Sequence, residues 1–185
     1  AAGQSGGIDV TAKAVLAEFR VNRSEAGWWD GFGSRVAPRP VFHGVAGLPS
    51  REDPGWVIEA HRDAHFIGAV WNYPELPSNQ GHVSALAEFY GQMFSDFFDF
   101  VAAVSTASGL TCDLAATATF FNADLLPFGA KGDWGNRYAV TAPALKVDVL
   151  QWPDLSATLG HEPLVSLAAQ MRDYLLSAYG LSRRT

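Results

Sequence analysis

The chain has one cysteine, Cys112, in 185 residues, so no internal disulfide can staple it. A reducing cytoplasmic setting is therefore expected. No apolar run approaches the ~20 residues of a membrane span, and no membrane association is expected. Charge is sparse at 17%, and thirteen Lys and Arg face nineteen Asp and Glu for a net charge of −6. The basic residues are scattered apart from Arg183 and Arg184, so there is no stripe to follow a phosphate backbone, and direct nucleic-acid binding is disfavoured. Gly27, Gly31 and Gly33 are not followed by a Lys-Ser/Thr pair, which excludes a phosphate loop. No G-x-S-x-G is present. Cys112 falls among apolar positions, so an inert buried thiol is expected there rather than a nucleophile. No cofactor is expected.

Apolar and aromatic residues are plentiful. The chain is 48% hydrophobic and 12% aromatic, with six Trp and twelve Phe. That suits a single domain with a large core, a lined pocket, or a face meant for another surface. Residues 1–8 read as a linker, without the basic start and apolar core of a secretory leader. The folded domain is placed at 9–185, as part of a longer protein.

Residues 55–73, GWVIEAHRDAHFIGAVWNY, are the expected centre of the sheet. As one strand, Val57, Glu59, His61, Asp63, His65 and Ile67 would share a face. As a hairpin, the chain turns at His61-Arg62-Asp63-Ala64 between arms 55–61 and 65–72. The hairpin is favoured, because each arm then has ordinary strand length and Asp63 supports a turn through its own backbone.

Elsewhere the alternation in 14–22 suggests a strand, with a short helix starting from Asp9 as its rival. Residues 23–39 form a Gly-rich loop holding Trp28, Trp29 and Phe32, read as folded over the core edge or as a pocket lid. Residues 40–46 read as a short strand. In 83–107, Val83, Leu86, Tyr90, Met93, Phe94, Phe97, Val101 and Val104 recur at helical spacing, and further phenylalanines widen the apolar arc. This helix should end at Gly109 and be buried on more than one side. Glu88, Asp96 and Asp99 read as its solvated surface. Residues 111–121 alternate as a half-wetted strand, 122–136 form a loop with Trp134, and strands at 137–142 and 144–151 break at Pro143. A second helix spans 163–179, closed by Gly180. The expected fold is α+β: an antiparallel sheet of about six to eight strands, with helices 83–107 and 163–179 packed on one face.

Two functions follow. One is a non-catalytic module for ligand sensing or protein interaction, the regulatory part of a multidomain protein. Its partner would be the remaining domains, another protein, or a small apolar molecule held between sheet and helix by Trp28, Trp29, Phe32, Trp71, Tyr90, Phe94, Phe97 and Trp134. The alternative is a metal-dependent enzyme using His61, Asp63 and His65, with His161 as a distant further ligand, because two imidazoles and a carboxylate suit a divalent metal or a proton relay.

Overall fold

Alternating apolar residues build the first sheet. A computed structural model describes residues 7–23, 32, 36–48, 55–71, 85–131, 138–159 and 161–181, with main chain only at 85–88, 129–131, 138–141 and 161. Strands β1 (Arg39–Val41), β2 (Gly44–Gly47), β3 (Gly55–His61) and β4 (Phe66–Trp71) pair antiparallel in the order β1-β2-β3-β4. In β3, Trp56, Ile58 and Ala60 are buried, while Val57, Glu59 and His61 are only half-buried. This period of two sets an inner and an outer face. Residues 55–71 thus form a hairpin, with Ala60 opposite Phe66 and Gly55 opposite Trp71. The expected strand at 40–46 is instead a tight hairpin, because Phe42 and His43 turn the chain between β1 and β2.

The sheet is smaller than the six to eight strands expected. Among the described residues it has four, and the remaining strands form separate small ladders. β6 (Asp113–Ala116) pairs with β11 (Leu155–Thr158), β7 (Thr119–Phe120) with β10 (Leu150–Gln151), and β5 (Ala85–Leu86) lies parallel to β8 (Phe128–Lys131), which pairs with β9 (Tyr138–Ala142). The alternation of 111–121 is present, yet the strand breaks after Ala116. The Trp152 N–H donates to the Ala118 carbonyl and the Thr117 hydroxyl to the Trp152 carbonyl, and these cross-links divert the chain between its two partners.

Residues 13–18 are helical, correcting the strand expected over 14–22: α1 (Lys13–Glu18) buries Val15 and Phe19, four residues apart, and leaves Ala17 and Val21 exposed. Asp9 does not cap it. Its carboxylate accepts the Thr11 N–H and hydroxyl, which hold it below the ordinary carboxylate value. Ile8 lies in the core at 3% exposure and its N–H donates to the Arg62 carbonyl, so folded structure reaches into the stretch read as linker.

The long helix α2 covers Ala87–Ser108. It starts later than residue 83, because Ala85 and Leu86 are extended in β5. The second helix, α3, covers His161–Ala178. Both end in the same way. Gly109 and Gly180 take positive φ, their N–H groups donate to Thr106 and Ser177, and the next residues, Leu110 and Leu181, reach back to Ser105 and Leu176. This left-handed cap satisfies the last carbonyls and suits glycine.

The phenylalanines of α2 reach in several directions, as their wide arc implied. Phe97 lies against Gly68, where an added Cβ would stand 2.6 Å from the ring. Phe100 meets Phe19 and Phe66 edge-on at 4.9 and 6.3 Å. Phe94 turns instead to Trp152, whose Nε1 donates to the Met171 carbonyl in α3 at 2.8 Å. So α2 is sandwiched between the sheet and α3, and α3 rests mainly on α2 and β11 rather than on the four-stranded sheet. Each large side chain buried in this core contributes about 1.5–3 kcal/mol. The inner layer also holds a carboxylate: Asp96, expected on a wet surface, is fully buried and accepts from Gln92 Nε2 at 2.6 Å. Among the described residues no helix is long and apolar enough to cross a membrane.

Candidate functional site

The chemistry-bearing side chains gather at the tip and outer face of the β3–β4 hairpin. The tip is a three-residue turn, Arg62-Asp63-Ala64. The Ala64 N–H donates to the His61 carbonyl, the His61 N–H donates to the His65 carbonyl at 2.9 Å, and Ala64 takes a φ of 64°. A turn closed by one left-handed residue is a common three-residue hairpin connection, here made without glycine.

This geometry sorts the sequence candidates into two pairs. His61 continues the outer face of β3, so it meets Glu59 two residues back, Nε2 to Oε2 at 2.7 Å. Both side chains are mostly buried, at 16% and 23% exposure. The exposed His43 ring stacks on His61 at 6.3 Å, placed there by the β1–β2 turn. Asp63 and His65 pair separately and out in solvent, Nδ1 to Oδ2 at 3.1 Å. The hydrogen bond from the His65 ring is the main cause holding the Asp63 carboxyl below its ordinary value. His161 opens α3, and its side chain is outside the described residues. Among the described residues no three His, Cys, Asp or Glu side chains form a group able to hold a metal ion. What the tip offers chemically is a carboxylate-oriented imidazole, His61, with a second imidazole beside it.

The aromatic candidates divide between core and surface. Phe32 is buried, meeting Trp56 and Phe97 edge-on at 5.8 and 6.1 Å. Tyr90 is buried between Phe89 and Phe120, at 5.1 and 5.2 Å. Phe94 is likewise in the core, and Phe97 is half-buried against the sheet. Trp71 is 40% exposed on the outer face, where it lies over Gly55 so closely that no Cβ would fit. Trp28, Trp29 and Trp134 lie outside the described residues.

A cleft of about 580 Å³ lies elsewhere, along the C-terminal half of α2. Glu18, Asp99, Ala103, Ser105, Ala107 and Leu159 are among its lining residues, and among the described residues none of the aromatic candidates is. Ser105 is 3% exposed and its hydroxyl has no hydrogen-bond partner among the described residues. Beside this cleft Arg23 binds the Glu18 carboxylate at 2.6 Å and the Glu18 carbonyl at 2.7 Å, closing the end of α1, and its guanidinium stands 5.4 Å from the centre of the Phe100 ring. Burial lowers the Arg23 pKa below its ordinary value, against the pull of Glu18. Cys112 is exposed, which corrects the buried thiol expected from its apolar neighbours: it precedes β6 and escapes the alternation.

The surface that sequence reasoning missed is apolar. On the outer face and hairpin ends, Phe42 is 89% exposed, Ile67 45% and Trp71 40%. The signal was present in β4, FIGAVW, which has no polar residue on either face. Compared with known proteins, the chain matches no family model, no curated protein and no solved structure.

Proposed function

We propose that the chain is a non-catalytic protein-interaction module that presents the outer face and free edge of its four-stranded sheet to a partner. The observation that carries this reading is β4: a wholly apolar strand that among the described residues lies at the edge of the sheet, with Ile67 and Trp71 exposed on the side away from the core. A soluble monomer gains nothing from leaving such surface wet, and clustered exposed apolar groups mark contact surfaces. The occupant is another protein or further domains of a longer chain. Placing a photo-crosslinking residue at Phe42, Ile67 or Ala69, with exposed Ser177 as control, tests it in the native cell. Discrete protein adducts at Ile67, Ala69 and the Phe42 turn and none at Ser177 are expected; equal labelling everywhere, or none, removes the reading.

A small-molecule sensing role is the second reading, favoured by the α2 cleft and the unpartnered Ser105 hydroxyl on its wall. Small apolar amines and alcohols should then raise Tm, and Ala103→Trp, which fills the cleft, should abolish the rise. The absence of any shift across such compounds would sink it.

A further inference from the structure

The two edges of the four-stranded sheet are built differently. β1, at one edge, reads Arg39-Pro40-Val41. Its proline has no N–H to offer and its arginine is charged, two devices that discourage another strand from adding on. β4, at the opposite edge, has no charge and no proline, and among the described residues it pairs with β3 alone.

The main-chain pattern shows which groups β4 turns outward. The His61 N–H bonds the His65 carbonyl, and Glu59 and Val57 face Ile67 and Ala69 in the same register. Ladder bonds alternate along an antiparallel pair, so His65, Ile67 and Ala69 spend their N–H and C=O on β3, while those of Phe66, Gly68 and Val70 point away from the sheet. Gly68 is exposed although its inner side is filled by the Phe97 ring, and with no side chain its exposed surface is backbone.

From this we infer that β4 pairs antiparallel with β4 of a second copy of the chain, about a two-fold axis at Gly68. The inference rests on the reading of this sheet as an interaction surface and names its partner. In this register every outward group meets an outward group: Gly68 faces Gly68, and Phe66 faces Val70, for about six main-chain hydrogen bonds. The parity keeps both inner faces on one side. On the outer face Ile67 stands opposite Ala69 and His65 opposite Trp71, large against small and imidazole against indole. No like charges meet across the strands. The interface is isologous and closed, so it yields a dimer with one continuous sheet rather than a fibre.

Sedimentation velocity and disulfide trapping test this together, in a Cys112→Ser background because Cys112 is exposed. At about 200 µM the chain should sediment as two copies. Val70→Pro removes outward N–H groups without touching the β3 ladder, and Ile67→Lys puts charge beside the axis; each should weaken association about tenfold or more. The lysine variant guards against a proline that fails to fold. Mixed Ile67→Cys and Ala69→Cys chains should oxidise to the heterodimer, since those residues face each other at disulfide distance, whereas Ile67→Cys alone should not. A single-copy mass at every concentration, or trapping indifferent to register, overturns the inference. If photo-crosslinks then join the same face to a different protein, the interaction reading survives without self-pairing; if they are absent too, both fall.

Discussion

The inner and outer faces of the same four strands are made from alternate residues of one sequence, yet they have opposite fates. Inward, Trp56, Ile58 and Ala60 are at most 1% exposed; Phe32 packs on Trp56, and Phe97 and Phe100 of α2 reach Gly68 and Phe66 of the neighbouring strand. Outward, Val57 is half-buried, Ile67 and Trp71 are exposed, and Glu59 and His61 form a half-buried polar pair. The inner face holds the fold together. The outer face leaves apolar surface exposed, Ile67 above all, and it is this surface that the proposed reading assigns to a partner.

The largest effect should come from the inner face. Ile58→Ala should cost about 2–5 kcal/mol, because the space it leaves beside Gly47, where Phe19 and Trp56 also pack, cannot fully collapse, whereas Ile67→Ala should cost less than about 1 kcal/mol. Chemical denaturation measures both, and equal losses would erase the distinction between the faces. Gly68→Ala comes next, at about 1–3 kcal/mol, since its Cβ would press on the Phe97 ring. A neutral result there would mean that α2 does not touch β4.

The buried end of α3 and the exposed hairpin tip should also titrate in opposite directions. Burial pushes the Tyr179 phenol up to about 12, and its hydroxyl donates to the Leu126 carbonyl at 3.0 Å. A raised value stabilises the fold below the unfolded tyrosine value of about 10 and is lost as pH rises towards the native value. Unfolding curves between about pH 10 and 12 should therefore show falling stability, and Tyr179→Phe should flatten that slope while costing about 1 kcal/mol at neutral pH through the lost hydrogen bond. Asp63 at the exposed tip is the reverse case. Its depressed value gives a stabilisation present above the unfolded carboxylate value and lost as pH falls through the native one. Solvent screens this pair, so Asp63→Asn should give the smallest change of all, confined to the acid limb of the stability profile.

Much of this arrangement was legible in the sequence, for local reasons. The arms of the 55–73 hairpin follow from strand-forming residues on both sides of a polar tetrad, and the helix ends from Gly109 and Gly180. The pairing of Glu59 with His61 follows from alternation once 55–61 is a strand. Non-local pairing was not legible. Residues 113–120 carry one uninterrupted alternation, but Trp152, 34 positions beyond Ala118, splits it between β11 and β10. The short strand β8 falls in the stretch read as a loop over 122–136, because four extended residues leave too little pattern to detect. α1 was ambiguous because Val15 and Phe19 satisfy both a period of two and a spacing of four. At the site, the sequence named the imidazoles but not their separation into two pairs, and it gave Phe32, Tyr90 and Phe94 a ligand role while packing sets them in the core. Composition cannot say which aromatic rings face each other and which face outward.

The central claim, that β4 is an open edge held ready for a partner, is tested most directly by residue-resolved amide exchange along the strand. In dilute solution the amides of Phe66, Gly68 and Val70 should exchange quickly while those of Ile67 and Ala69 stay protected, and the first three should slow as the protein is concentrated. Slow exchange at Phe66, Gly68 and Val70 in dilute solution would show the edge already covered within the chain, and would contradict the account.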